Sequence, residues 1–171
     1  MKKIEEKELK SIELNILKDI HTFCEMNNLT YYLCGGTLLG AVRHRGFIPW
    51  DDDIDIFMPR VDYDRFLTEY ASKQYTVLCH KNTQGYYLPF AKVVDKSTRI
   101  EETLVKSIPN CGVYVDVFPI DGFSNNVDTA KSMVKKAKRY MFMNGLAYSF
   151  PRKNDSAKHI IKNLFMKFVK Y

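Results

Sequence analysis

The spacing of apolar side chains separates helical from extended segments along the chain. Near the start, apolar residues recur at steps of three and four, which predicts an amphipathic helix ending near Asn27–Asn28. The positions that form this stripe are Leu9, Ile12, Ile16, Ile20 and Phe23. Similar spacing predicts helices over residues 61–73, 128–145 and 156–171. The last two of these segments are rich in lysine.

Between the helical segments, apolar residues alternate with polar ones or run together, as they do in β-strands. Alternation is clearest over Asp53–Met58, where Pro59 follows as a terminator. Other strands are predicted over residues 29–36, 75–82, 86–95, 98–102 and 112–122. A short helix is predicted over Thr37–Gly46, with Thr37 near its N-cap. Strands in the middle and helices at both ends predict a single α+β domain with a mixed sheet.

The composition is that of an ordinary globular chain, with 46% hydrophobic and 27% charged residues among 171. No apolar run approaches the roughly 18 residues of a transmembrane helix, and glutamates interrupt the N-terminal segment. Neither a membrane span nor a secretion signal is therefore predicted. The four cysteines form no CxxC pair, so we expect reduced thiols in a cytoplasmic protein.

The net charge of +6 is unevenly distributed. Residues 125–171 contain 11 Lys and Arg against 2 acidic residues, whereas the remainder is slightly acidic. We therefore distinguish an N-terminal helix (1–28), a core (29–124) and a basic helical C-terminal part (125–171). The basic part predicts an anionic partner, and the alternative is lysine used only for solubility. Its last amphipathic helix is a candidate for peripheral contact with an anionic membrane, or for packing on the core.

Candidate chemistry is concentrated in the stretch CGGTLLGAVRHRGFIPWDDDIDIFM, Cys34 to Met58. On a strand, Asp53 and Asp55 point to one face and repel each other unless a cation neutralises them. An all-oxygen pair suits Mg²⁺ or Mn²⁺, so these two residues are the predicted metal ligands, with Asp51 assisting. The alternative interpretation is an acidic surface turn that precedes a strand.

The glycines of the same stretch predict a phosphate site. A strand that ends at Gly35–Gly36 before a helix start at Thr37 exposes backbone N–H groups at the positive end of a helix dipole. A phosphate site beside a carboxylate pair predicts transfer of a phosphorus-containing group. A third carboxylate is expected, and we favour Asp116 within the strand over Asp121, which begins an Asp-Gly turn.

Two basic residues are further candidates for phosphate binding. Arg43 precedes the glycine at position 46 and is a candidate phosphate contact, with a plain surface charge as the alternative. Lys92 interrupts the apolar strand LPFAKVV, where a lysine is uncommon unless it is paired. We therefore expect Lys92 near the metal-bound phosphates.

The segments YYLCGGTLLGAVRHRGFIPWDDDIDIFMPR, LPFAKVVDKSTR and VYVDVFPIDG resemble the LicD family of phosphotransferases within the polymerase-β-like nucleotidyltransferase superfamily. The resemblance spans roughly Leu29 to Gly122. It implies a nucleotidyltransferase-like mixed sheet flanked by helices, with a divalent metal at Asp53, Asp55 and Asp116. It also implies transfer of phosphocholine or a related phospho-alcohol from a CDP-activated donor to a cell-surface glycan.

The expected enzyme thus acts in the cytoplasm, at the inner face of the membrane, on a glycan acceptor or its lipid-linked precursor, and not on nucleic acid. The resemblance implies lipopolysaccharide, teichoic acid or capsule as the glycan. Two alternatives stay open at this point. One is a nucleotidyltransferase that moves NMP from an NTP to a protein or small molecule. The other is an inactive or truncated nucleotide-binding module.

Overall fold

The computed structural model describes residues 3–100 and 107–148, with side chains up to position 145. Within these residues it contains four helices and five strands. In chain order they are α1 (Glu6–Asn27), β1 (Tyr32–Leu33), α2 (Gly35–His44), β2 (Asp55–Pro59), α3 (Arg60–Glu69), β3 (Tyr75–Leu78), β4 (Ala91–Asp95), β5 (Tyr114–Ile120) and α4 (Val127–Tyr148). The sheet and helices α1 to α3 belong to one compact unit, and α4 belongs to a second.

The five strands form one mixed sheet in the order β1-β2-β5-β4-β3. Strands β2 and β5 are parallel, and the other neighbouring pairs are antiparallel. Two distant segments of the chain, around residues 55 and 116, therefore lie side by side in the centre of the sheet. The predicted α+β class with a mixed sheet is confirmed.

One face of the sheet is apolar and is covered by helices α1 and α3. Alternate residues of each strand project to this face, because side chains two apart point the same way. The buried cluster here includes Ile16, Ile20, Cys24, Ile54, Ile56, Met58, Phe66, Val93, Val115 and Val117. The opposite face of the central strands is consequently left for polar and aromatic side chains.

Several predicted boundaries are wrong because turn chemistry overrides the apolar pattern. The segment 98–102 was predicted to be a strand, yet residues 98–100 are a loop, and 101–102 lie outside the described residues. The carboxylate of Asp95 accepts hydrogen bonds from the N–H (2.7 Å) and hydroxyl (2.6 Å) of Ser97, forming an Asx turn that ends β4. The predicted strand 86–95 also shortens, to Ala91–Asp95.

The start of α2 also differs from the prediction. The helix begins at Gly35, its N-cap is Cys34 in an extended conformation, and Leu38 N–H donates to the Cys34 carbonyl (3.1 Å). Thr37 is therefore inside the first turn rather than at the N-cap. Its hydroxyl instead accepts a hydrogen bond from the Asp55 N–H (2.8 Å), which joins the start of α2 to the start of β2. The helix predicted over 156–171 lies outside the described residues.

Candidate active site

Three charged side chains form a row across the polar face of the sheet. Asp55 on β2 is paired in register with Asp116 on β5, and Asp116 is paired with Lys92 on β4. Residues directly opposite each other on neighbouring strands project to the same face. We call Asp55, Asp116 and Lys92 the charged row. The row brings together three residues that are separated by up to 61 positions in the sequence.

Lys92 and Asp116 form a buried ion pair within this row. Their Nζ and Oδ1 atoms are 2.6 Å apart, and the residues are only 6% and 7% exposed. The Lys92 ammonium also lies 3.2 Å from the centroid of the Tyr114 ring, a cation–π contact. Burial raises the pKa of Asp116 to about 6, although the charge and hydrogen bond of Lys92 lower it. One lysine thus leaves this group of carboxylates short of positive charge.

The aspartates before and at the start of β2 also lack sufficient positive charge nearby, because their pKa values are raised. Burial raises the pKa of Asp53, and the nearby charges of Asp51 and Asp52 raise it further. Burial likewise raises the pKa of Asp55, with Asp53 as the next cause. Both side chains are half-buried, whereas the intervening Ile54 is buried in the core. The predicted alternation is therefore present, and it places repelling carboxylates together.

The glycines at the start of α2 make room for these carboxylates. A Cβ atom on Gly36 would overlap the Asp51 carboxylate, and one on Gly35 would lie 3.3 Å from Asp55 Oδ2. Gly35 also has a φ of +54°, which disfavours other residues. The N-terminal turn of α2 therefore lies directly beside Asp51 and Asp55. Its helix dipole favours negative groups here, whether carboxylate or phosphate oxygens.

The donor set fits a hard divalent cation. One carboxylate oxygen from each of Asp51, Asp52 and Asp53 lies within 4.8 Å of the others. Asp55 and Asp116 are outside this group of three; they are paired with each other on β2 and β5, and the charges of Asp53 and Asp51 act on Asp55. Carboxylate oxygens without nitrogen or sulfur partners are the ligands of Mg²⁺ and Mn²⁺. A cation would also supply the positive charge that burial of these groups requires.

The two candidates for the third carboxylate have different surroundings. Asp116 lies beside Asp55 in the charged row. Asp121 follows β5 and accepts two hydrogen bonds from the Arg60 guanidinium (2.6 and 2.7 Å). The hydrogen bonds from Arg60 lower the pKa of Asp121 below its usual value. Both carboxylates therefore have a cationic partner, and what differs is their place: Asp116 is buried beside Asp55, whereas Asp121 is exposed after the end of β5.

Arg43 is not brought to the glycines by the fold. It is exposed in the last turn of α2, eight residues beyond Gly35, which is about 12 Å along the helix axis. Its predicted contact with phosphate requires a ligand long enough to reach that end of the helix, and stays a prediction.

Sequence reasoning missed a buried acid on α1. Glu13 is 3% exposed, and its Oε2 atom has no hydrogen-bond partner among the described residues. Burial, with Asp53, Asp52 and Asp51 as further causes, raises its pKa to about 8. The helical spacing did indicate that Glu13 would be buried. Position 13 precedes Ile16 and Ile20 by three and seven residues, so it lies on the buried face of α1.

Comparison with known proteins gives consistent results. The profile of the family described as LicD/FKTN/FKRP, nucleotidyltransferase domain, matches residues 28–154, which include every predicted site residue. The chain is 36% identical over 143 residues to the lipopolysaccharide cholinephosphotransferase LicD of Haemophilus influenzae, covering 81% of this chain and 53% of that protein.

Two Rickettsia proteins that are described as uncharacterized match shorter stretches. The protein from Rickettsia prowazekii is 43% identical over 65 residues, which are 36% of this chain and 24% of the relative. The protein from Rickettsia typhi is 38% identical over 78 residues, which are 43% of this chain and 25% of the relative. The chain thus matches about half the length of LicD and about a quarter of these two.

None of the helices in the described ranges combines the length and the apolar content that a bilayer span requires.

The family match covers most of the chain and includes the glycine turn, the aspartates and the charged row. On this evidence the chain belongs to the LicD/FKTN/FKRP family and contains its nucleotidyltransferase domain.

Proposed function

We propose that the protein is a metal-dependent phosphotransferase that moves a phospho-alcohol, such as phosphocholine, from a CDP-activated donor to a cell-surface glycan or its lipid-linked precursor. The observation that carries this proposal is the charged row of Asp55, Asp116 and Lys92 beside the glycine turn of α2. The name of the Haemophilus relative supports the choice of phosphocholine and of a lipopolysaccharide acceptor.

Each site residue has a role in this reaction. Asp53, Asp55 and Asp116 would hold Mg²⁺ or Mn²⁺, which supplies neutralisation of charge on the phosphoryl oxygens. The N–H groups of Gly35, Gly36 and Thr37 would orient the donor's phosphates at the start of α2.

Lys92 and Arg43 would both contribute positive charge, Lys92 within the charged row and Arg43 at the far end of α2 from the glycines. Lys92 stabilises the charged form of Asp116. Its ammonium would lie near the transferred group. Because Lys92 binds Oδ1, Oδ2 is the Asp116 oxygen that would hold the metal. Arg43 would contact the more distant part of the donor.

The cellular setting follows from the substrates. A CDP-activated donor is made in the cytoplasm, and a lipid-linked acceptor is presented at the inner face of the membrane. We therefore place the protein in the cytoplasm, with peripheral contact to that membrane through its basic C-terminal part. Its glycan would belong to lipopolysaccharide, teichoic acid or capsule.

Product identity tests the proposal. The purified protein is incubated with Mg²⁺ or Mn²⁺, a lipopolysaccharide acceptor, and either CDP-choline or an NTP, and products are identified by mass spectrometry. With CDP-choline, the acceptor oxygen attacks the choline-bearing phosphorus, the phosphoanhydride bond breaks, and CMP is released. The acceptor should gain one phosphocholine for each CMP, and a chelator should stop the reaction.

Three variants assign the chemistry to residues. Asp55→Asn and Asp116→Asn should each lower the rate at least about 100-fold, the scale for loss of a metal ligand or general base. Asp121→Asn is the matched control and its rate should stay near that of wild type, because Arg60 already neutralises that carboxylate.

Other products would support the two alternative functions. Attachment of NMP to the acceptor with release of pyrophosphate would establish a nucleotidyltransferase. Binding of metal and nucleotide without any product would support the inactive module.

A further inference from the structure

A second row, composed of aromatic side chains, runs parallel to the charged row. Phe57 and Phe118 lie two positions beyond Asp55 and Asp116 on β2 and β5, and they are paired in register. Tyr32 of β1 is paired with Phe57, which extends the row to the edge strand. Phe90, two positions before Lys92, completes it at the start of the antiparallel β4. We call Tyr32, Phe57, Phe118 and Phe90 the aromatic row.

The aromatic row shares a face with the charged row, because residues two apart on a strand point the same way. Two residues at about 3.3 Å each place the two rows about 7 Å apart. Tyr32 is 54% exposed and Phe57 40%, whereas Phe118 and Phe90 are partly buried. Four aromatic side chains therefore border the charged row on the same face of the sheet, and the aromatic row is most exposed at Tyr32 and Phe57.

The rings form a corner rather than a flat surface. Phe57 and Phe118 are nearly perpendicular, with centroids 6.0 Å apart and an interplanar angle of 78°. Phe90 packs against Phe118 at 4.2 Å, which occupies that side of the Phe118 ring. A compact group can contact two perpendicular rings at once, whereas a planar base can stack on only one of them. This shape favours a rounded cation over a nucleobase.

Rings on this face already contact a cation. The Lys92 ammonium lies over the Tyr114 ring and is 5.5 Å from the centroid of Phe90. Aromatic faces attract ammonium groups electrostatically, and quaternary ammonium groups are bound by clusters of such rings. In phosphocholine a two-carbon bridge separates the phosphate from the trimethylammonium group. A phosphate at the charged row would thus place the trimethylammonium group at the aromatic row.

We propose that the aromatic row binds the quaternary ammonium of the transferred head group and thereby selects phosphocholine over phosphoethanolamine. This inference rests on the proposed function, because the phosphate of the same molecule must lie at the charged row. It assigns Tyr32, Phe57 and Phe118 the role of specificity determinants, while the carboxylates perform the chemistry. A primary ammonium is smaller and more strongly hydrated, so it gains less from the rings.

Calorimetry with small ligands in the presence of Mn²⁺ tests the inference. Wild-type protein should bind phosphocholine about tenfold more tightly than phosphoethanolamine or inorganic phosphate, the scale of one desolvated cation–π contact. Phe57→Leu and Phe118→Leu retain apolar bulk but lack the ring face. Each variant should remove most of that preference and leave the affinity for inorganic phosphate unchanged. Phe123→Leu, at an exposed phenylalanine outside the row, is the matched control.

Each arm of the experiment has a separate meaning. Choline without phosphate should bind wild type weakly, with or without Mn²⁺, and should not bind Phe57→Leu. If the wild-type protein binds choline but does not bind inorganic phosphate, this result would contradict the proposed function but not the role of the aromatic row. Equal affinity of wild type for phosphocholine and phosphoethanolamine overturns the inference. So does a Phe57→Leu variant that loses affinity for CMP as strongly as for phosphocholine. Unchanged circular dichroism verifies that each variant is folded.

Discussion

The buried carboxylate of Asp116 is only partly compensated by its ion pair with Lys92. Burying a carboxylate beside another carboxylate is unfavourable, and the Lys92 ion pair offsets only part of that cost, since the pKa of Asp116 stays near 6. Such a pair is a weak source of stability, because desolvation of both charges opposes their attraction. The residual deficit of positive charge would favour binding of a cation, as the proposed function requires.

Glu13 is a second buried carboxyl group with a raised pKa, and its effect can be detected in the pH dependence of stability. Its pKa is raised from 4.5 to about 8, so between these values the folded protein binds a proton that the unfolded chain has released. The free energy of unfolding should therefore fall as pH rises from about 4.5 to about 8. The facing groups are Asp51, Asp52 and Asp53, which raise the pKa, and Lys10, which lowers it.

Glu13→Gln should remove this contribution, because the amide has the shape of the carboxyl group and no charge to bury. The variant should match wild type near pH 4 and become increasingly more stable toward pH 8, in urea unfolding without metal. Glu25→Gln, at an exposed position of the same helix, should not change the pH profile. Parallel profiles for wild type and Glu13→Gln would show that Glu13 is not the responsible group.

At the scale of elements, the sequence predicted what depends on local periodicity. The stripe of α1 and the alternation around Ile54 are properties of neighbouring residues, so both were found. The Asx turn at Asp95 was missed because a side-chain hydrogen bond, rather than apolar spacing, ends β4. A start of α2 at Gly35 was missed for a similar reason, since Thr37 was expected to be the cap.

The candidate residues could be chosen one by one from the sequence, but their arrangement could not. Alternation singled out Asp53, Asp55 and Asp116, and a lysine within an apolar strand singled out Lys92. Their alignment depends on the strand order, in which β5 lies between β2 and β4. No local pattern encodes that order. The aromatic row was missed for this reason, because its members belong to separate segments and share only a register.

The first turn of α2 provides a prediction at this scale. A methyl group at Gly36 would overlap the Asp51 carboxylate, so Gly36→Ala should displace that side chain from the aspartate group. The affinity for Mn²⁺, measured by electron paramagnetic resonance, should fall about tenfold, the lower end of the effect expected when a ligand is no longer oriented. Gly46→Ala is the control, since a Cβ there meets no atom within 4 Å. Unaltered Mn²⁺ affinity in Gly36→Ala would mean that Asp51 does not contribute to the site.

At the scale of the whole molecule, charge is segregated along the chain. The part before residue 125 is slightly acidic and contains the carboxylate site, whereas residues 125–171 contain 11 basic residues. In the described part of this region, α4 exposes Lys131, Lys135 and Lys138. A lipid-linked acceptor would be presented at an anionic surface, which attracts basic segments and repels an acidic one.

Membrane contact is therefore predicted to depend on the last predicted amphipathic helix, over residues 156–171, which lies outside the described residues. Each basic residue near an anionic bilayer contributes on the order of 1 kcal/mol, so Lys158, Lys162, Lys167 and Lys170 together should give strong, salt-sensitive binding. The protein should sediment with anionic vesicles at low salt and be released at high salt, and it should not bind neutral vesicles.

Replacing these four lysines by glutamate should abolish sedimentation. Replacing three exposed lysines of the other unit, Lys7, Lys18 and Lys73, should weaken it far less, although the net charge changes in the same direction. This comparison separates a local surface from a general effect of charge. If the wild-type protein failed to sediment with anionic vesicles at low salt, the predicted membrane contact would be wrong, and the acceptor would have to reach the site without help from the membrane surface.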